Sequence, residues 1–90
     1  MVNTGCTSLT KLTIPAQVKK IGKEAFSGCG KLKNITVKTT KLTKQTVGNK
    51  AFQGIYEKAT ILVPKTKLES YTSLLKARGV SKKAVIKASK

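Results

Sequence analysis

Residues 6–29 read Cys6-Thr7-Ser8-Leu9-Thr10-Lys11-Leu12-Thr13-Ile14-Pro15-Ala16-Gln17-Val18-Lys19-Lys20-Ile21-Gly22-Lys23-Glu24-Ala25-Phe26-Ser27-Gly28-Cys29. The placing of the apolar residues decides how this stretch folds. Leu9, Leu12 and Ile14 are spaced three and then two apart, which fits neither a helix nor a long strand. The spacing predicts an approach segment that runs into a very short strand over 11–14. In that strand Leu12 and Ile14 point inward while Lys11 and Thr13 point out. Pro15 cannot donate to a ladder and ends it. Val18 and Ile21 supply two further inward anchors. Gly22 permits a turn that a Cβ would hinder. Ala25 and Phe26 then fit a single turn of helix that carries the chain around.

The same pattern returns. Cys6 and Cys29 lie 23 residues apart, and at that offset Leu9 matches Leu32, Leu12 matches Ile35 and Ile14 matches Val37. Gly22-Lys23-Glu24-Ala25-Phe26-Ser27-Gly28 recurs as Gly48-Asn49-Lys50-Ala51-Phe52-Gln53-Gly54 at an offset of 26. The three extra residues fall in the polar stretch 38–46, where a surface loop is expected to absorb them. A third partial copy starts near Ile55: Ile61 and Val63 follow Ile35 and Val37 by 26, and Pro64 echoes Pro15. One copy is too small to bury its own apolar side, whereas stacked copies share a continuous core. On this reading Phe26 and Phe52 are core residues rather than stacking platforms for a ligand.

The chain divides into a repeat region over 1–64 and a C-terminal cap over 65–90, within one domain. Thr66-Lys67-Leu68-Glu69 has capping-box spacing, which predicts a helix near 67–78. Leu68, Tyr71, Leu74 and Leu75 share one face of it, with the Tyr71 hydroxyl at the edge of the buried stripe. Arg78 suits the negative helix end and Gly79 the position beyond it. Val80, Val85 and Ile86 add a short final strand or packing segment.

Composition narrows the function. The 90 residues hold 19 Lys or Arg against three acidic residues, a formal net charge of +16, with no His and no Trp. A His-based triad is therefore impossible. Glu24, Glu57 and Glu69 are scattered, which leaves paired-carboxylate chemistry little to work with. Cys6 and Cys29 are a poor set for zinc. Their spacing fits either two buried ladder thiols or, since stacked positions lie about 5 Å apart, a disulfide. The expectation is a non-enzymatic module without cofactor or metal. No apolar run approaches a membrane span. Met1-Val2-Asn3 is followed by polar residues, so no signal peptide is expected in this chain.

The string Cys6-x-x-Leu9-x-x-Leu12-x-Ile14-Pro15-x-x-Val18-x-x-Ile21-Gly22-x-x-Ala25-Phe26-x-x-Cys29 resembles the BspA-type leucine-rich repeat, a family common in bacterial surface proteins. A second copy matches at Cys29, Leu32, Ile35, Val37, Gly48, Ala51 and Phe52, but has Lys38 where the family has Pro. The resemblance covers about residues 6 to 64. It implies an α/β fold: a short right-handed leucine-rich-repeat solenoid of short strands and brief helical turns, closed by the C-terminal capping helix. It further implies an extracellular or cell-surface bacterial protein used in adhesion. The partner would be a protein ligand or host surface component. The exposed side of the stacked strands is the usual binding face in such repeats, and here it would present Lys11, Thr13, Asn34, Thr36, Thr60 and Leu62. Thr13 and Thr36 would be cross-strand neighbours.

An alternative reading starts from charge. The lysines attract a polyanion, which would make the chain a basic module that anchors its parent to an anionic cell-wall polymer or glycan. Eighteen Lys against one Arg argue against specific nucleic-acid recognition, because Arg is the residue of bidentate base and phosphate contacts. No aromatic residue interleaves with the lysines to stack on single strands. The chain reads as the C-terminal end of a longer array. Its exposed start predicts self-association through Cys6, Leu9 and Leu12 unless upstream repeats cover them.

Overall fold

A computed structural model describes residues 7–89. Four strands form one parallel sheet in the order β1-β2-β3-β4: β1 is Lys11–Ile14, β2 is Asn34–Val37, β3 is Thr60–Val63 and β4 is Val85–Ala88. One helix, α1, spans Leu68–Ala77 between β3 and β4. The registers align the repeat. Leu12, Ile35, Ile61 and Ile86 form one inward row, and Ile14, Val37, Val63 and Ala88 the next. Each strand after the first is joined by the same backbone bond at its start: the N–H of Asn34 donates to Thr10 O, Thr60 to Lys33 O and Val85 to Ala59 O.

The sequence signal for the first three strands holds, because inward branched residues alternate with outward ones in each, of which only Leu62 is apolar. The tail, expected as a short final strand or a packing segment, is a strand. β4 is paired to β3 over all four residues, so the sheet is wider than the three repeat copies alone imply.

The connections differ from expectation in an instructive way. Residues 23–28 form successive turns rather than a helical turn. Glu24 has φ 55° and its counterpart Lys50 has φ 58°, a left-handed conformation that stops helix growth. Gly28 and Gly54 both have φ 80°. These turns stack on one another through backbone bonds from Glu24 N to Asn49 O, Phe26 N to Ala51 O and Gly28 N to Gln53 O. Ile21 and Val47 pair as an isolated parallel bridge beside them. The repeat is therefore hydrogen-bonded on both its strand side and its turn side.

The core runs through all of it. Ile14, Ala25, Phe26, Cys29, Leu32, Ala51, Phe52, Ala59, Ile61 and Val63 are completely buried. Leu74, Leu75 and Val80 belong to the same cluster. Leu9, Leu12 and Val18 are only partly buried, packed against the core margin. Cys6, invoked above with Cys29 and in self-association, lies outside the described residues.

The helix does not begin as its sequence suggests. Its N-cap is Lys67, with no side-chain cap bond. Pro64 starts a 3-10 turn over Lys65–Lys67, closed by Lys67 N donating to Pro64 O at 2.8 Å. Thr66 thus lies within a turn and cannot take the extended conformation that an N-cap needs. The helix end is as expected at Gly79, which has φ 111°. Gly79 N donates to Lys76 O and Val80 N to Leu75 O, the paired bonds of a Schellman motif. Arg78 departs from expectation. Its guanidinium leaves the helix end, with Nε donating to Val47 O and Nη2 to Lys44 O, both at 2.8 Å. Its own carbonyl accepts from Phe52 N. The single arginine therefore ties the helix end to the second repeat copy.

Candidate functional site

The outward sheet face is built by register. One row runs Lys11, Asn34, Thr60, Val85 and the other Thr13, Thr36, Leu62, Lys87. Among the sequence candidates, Lys11, Thr13 and Asn34 are exposed, while Thr36, Thr60 and Leu62 are half-buried. The sheet brings all six together on one face, and Thr13 and Thr36 are register partners. β4 adds Val85 and Lys87, which the three-strand repeat pattern does not include. Val85 is the most open large apolar residue described, at 50% exposed. The sequence signal for it is the offset of 25 from Thr60 to Val85, which places Val85-Ile86-Lys87 in phase with Thr60-Ile61-Leu62. The face holds no acidic residue.

Two concave regions lie elsewhere. Residues 42–44 and the start of α1 flank a groove of about 310 Å³ lined by Leu42, Thr43, Lys44, Lys67, Ser70, Tyr71 and Leu74. A larger depression of about 580 Å³ is lined by Lys65 to Ser73 alone, one continuous segment that includes Glu69.

The groove exists because the three-residue insertion is not a free surface loop. Thr39 is fully buried and Leu42 nearly so. The Thr39 hydroxyl donates to Val18 O at 2.6 Å and accepts from Lys41 N at 3.1 Å. The Tyr71 hydroxyl, buried rather than at an edge, donates to Thr39 O at 2.9 Å and accepts from Leu42 N at 3.2 Å. Polar sequence in 38–46 hides this, because Thr39 turns its polar atoms to partners inside the fold.

Tyr71→Phe leaves the Leu42 N–H and the Thr39 carbonyl without their partner and is expected to cost about 1–3 kcal/mol in chemical denaturation. Burial raises the Tyr71 hydroxyl above its ordinary value of 10.0, partly offset by the bond from Leu42 N–H. The unfolded chain ionises first, so this contribution is complete below about pH 10 and is lost as the pH rises beyond it. Stability measured from pH 8 to 11 should therefore fall more steeply in the parent than in Tyr71→Phe. Parallel curves would contradict the buried network.

Among the described residues no three His, Cys, Asp or Glu side chains come together where they could hold a metal ion. No described helix is long and apolar enough to cross a membrane. The parallel sheet and the stacked turns with equivalent residues in register define a repeat protein. The family model for the BspA type leucine rich repeat region (6 copies) matches residues 3–76, and the chain belongs to that family. Its repeats serve in general as protein-interaction modules and are typically non-catalytic. Its members are typically bacterial cell-surface proteins. No curated protein and no solved structure matches the chain.

Proposed function

We propose that this chain is a segment of a right-handed leucine-rich-repeat solenoid that binds a protein ligand at the bacterial cell surface, in adhesion, through its outward sheet face. The supporting observation is the continuous register of that face across four parallel strands, in which three Thr, one Asn, Leu62 and Val85 are accompanied by Lys11 and Lys87. Threonine offers a hydroxyl donor and acceptor on a stiff side chain, so a face of this kind meets a partner's polar groups at little entropic cost.

Its size sets the mode of use. Four short strands cover roughly 250 Å², against about 800 Å² per partner in a standard interface. The face is one part of a wider binding surface supplied by the array to which the chain belongs. Thr13→Arg or Thr36→Arg, introduced into the full parent protein, is expected to weaken ligand capture at least about tenfold, with the effect persisting at 0.5 M salt. Capture unchanged by both substitutions, in surface-binding assays of folded protein, would remove the face from the mechanism.

A second reading rests on charge. Three glutamates can pair with few of the 19 basic side chains, as Glu57 does with Lys83 at 3.6 Å, which leaves a formal charge of +16. Such a surface attracts an anionic cell-wall polymer or glycan. Binding to immobilised heparin and to purified Gram-positive wall across a salt series separates the readings. Polyanion anchoring fades steeply with salt and with lysine neutralisation on any face.

A further inference from the structure

We propose that the groove between residues 42–44 and α1 is a second binding site, for an acidic peptide segment that carries an apolar side chain. This site is separate from the sheet face, and its assignment does not rest on that reading.

Three observations carry it. First, the groove is pre-formed. The Tyr71 hydroxyl holds Leu42 N from one side, and the Arg78 guanidinium holds Lys44 O from the other. Both walls are therefore fixed before a ligand arrives, which lowers the cost of binding. Second, the lining is of two kinds. Leu42, Tyr71 and Leu74 line it from the buried core, and Lys44 and Lys67 line it as well. An apolar floor with a few placed polar groups is the usual make-up of a binding cleft. Third, charge selects the occupant. None of the three glutamates lines the groove, and Glu69 lines the depression on the other side of the helix start.

The same features favour a peptide over a sugar polymer. The Tyr71 ring is buried to 2% exposure and presents no open face for a sugar to stack on. Two ammonium groups act as point charges, suited to separate carboxylates along an extended chain. At about 310 Å³ the groove takes one apolar side chain and its flanking acid rather than a folded surface.

The probe is a six-residue peptide of Glu and Leu with blocked ends, titrated into the full chain by two-dimensional amide NMR at physiological salt. Shifts should concentrate at residues 42–44 and 67–74. The pair Lys44→Glu with Lys67→Glu should weaken binding at least about tenfold. The pair Lys31→Glu with Lys82→Glu, which changes the charge equally at exposed positions that do not line the groove, should leave it unaltered. Equal weakening by both pairs, or shifts spread over the surface, would reduce the effect to net charge and overturn the site. A six-residue glutamate peptide binding as well as the mixed one would remove the apolar pocket from the proposal. A heparin fragment that shifts the same residues more tightly than the mixed peptide would overturn the choice of ligand. The spectra themselves report whether each variant is folded.

Discussion

Gly48→Ala is expected to abolish the cooperative folding transition at ambient temperature, or to lower stability by more than about 4 kcal/mol. The reason is space, not backbone conformation, since Gly48 lies outside the positive-φ positions. A Cβ there would overlap the backbone N and Cα of Lys23 and lie 2.8 Å from the carbonyl carbon of Gly22. Those atoms cannot retreat cheaply. Gly48 N donates to Ile21 O at 2.8 Å, Ile21 N to Thr46 O at 2.8 Å and Glu24 N to Asn49 O at 3.0 Å. One methyl group therefore has to pry the first two repeat copies apart and break this run of bonds. A domain of this size holds only about 5–13 kcal/mol in total. Gly30→Ala is the control, because its Cβ would meet nothing nearer than Gly54 O at 3.9 Å. It should be neutral or stabilising by up to about 1 kcal/mol. Thermal melts followed by circular dichroism check both. A Gly48→Ala melt within a few degrees of the parent would show that the copies are not in backbone contact there.

Phe26→Ala and Phe52→Ala are the second pair with large effects, at about 3–5 kcal/mol each. Both side chains are completely buried, and their rings stack with centroids 5.5 Å apart and planes at 20°. They occupy the same position in consecutive copies, so each ring fills the space under the turn that the other supports. Removing one leaves a cavity against the other, and removing both should cost less than the sum. The coupling in a double-mutant cycle should be about 0.5–1.5 kcal/mol. Denaturant titration measures it. Strictly additive losses would mean that the two rings pack independently.

The core positions of Phe26 and Phe52 are legible in the sequence, and so are the inward residues of β1, β2 and β3. Repetition itself carries that information, since a seven-residue string returning at a fixed offset has to occupy the same place in each copy. Four features are not legible there, each for a physical reason. β4 reads as either a short strand or a packing segment, because it lacks the Pro that follows β1 and β3, and only its phase favours the strand. Thr39 is polar, and its burial depends on the Val18 carbonyl, which belongs to a different copy. The capping spacing at Thr66 is real, but Pro64 has already committed the chain to a turn. Arg78 reads as a helix-end cation because the carbonyls of Lys44 and Val47 come close only after folding. The outward face follows from alternation along each strand. The groove does not, because its two walls are brought together by the hydroxyl of Tyr71 and the guanidinium of Arg78, and neither bond has a local sequence mark.

The division of labour between the basic residues has a chemical consequence. Arg78 is the only guanidinium in the chain, and it is the one held against backbone carbonyls. The other 18 basic side chains are primary amines. A mild acylating reagent reacts with amines and spares guanidinium groups. Complete modification would leave one positive side chain against three negative ones, turning a formal +16 into −2 while the tie between the helix end and the second copy stays intact. The surface charge of this protein can thus be erased in a single step on the folded molecule, with the bond that secures its C-terminal third left untouched.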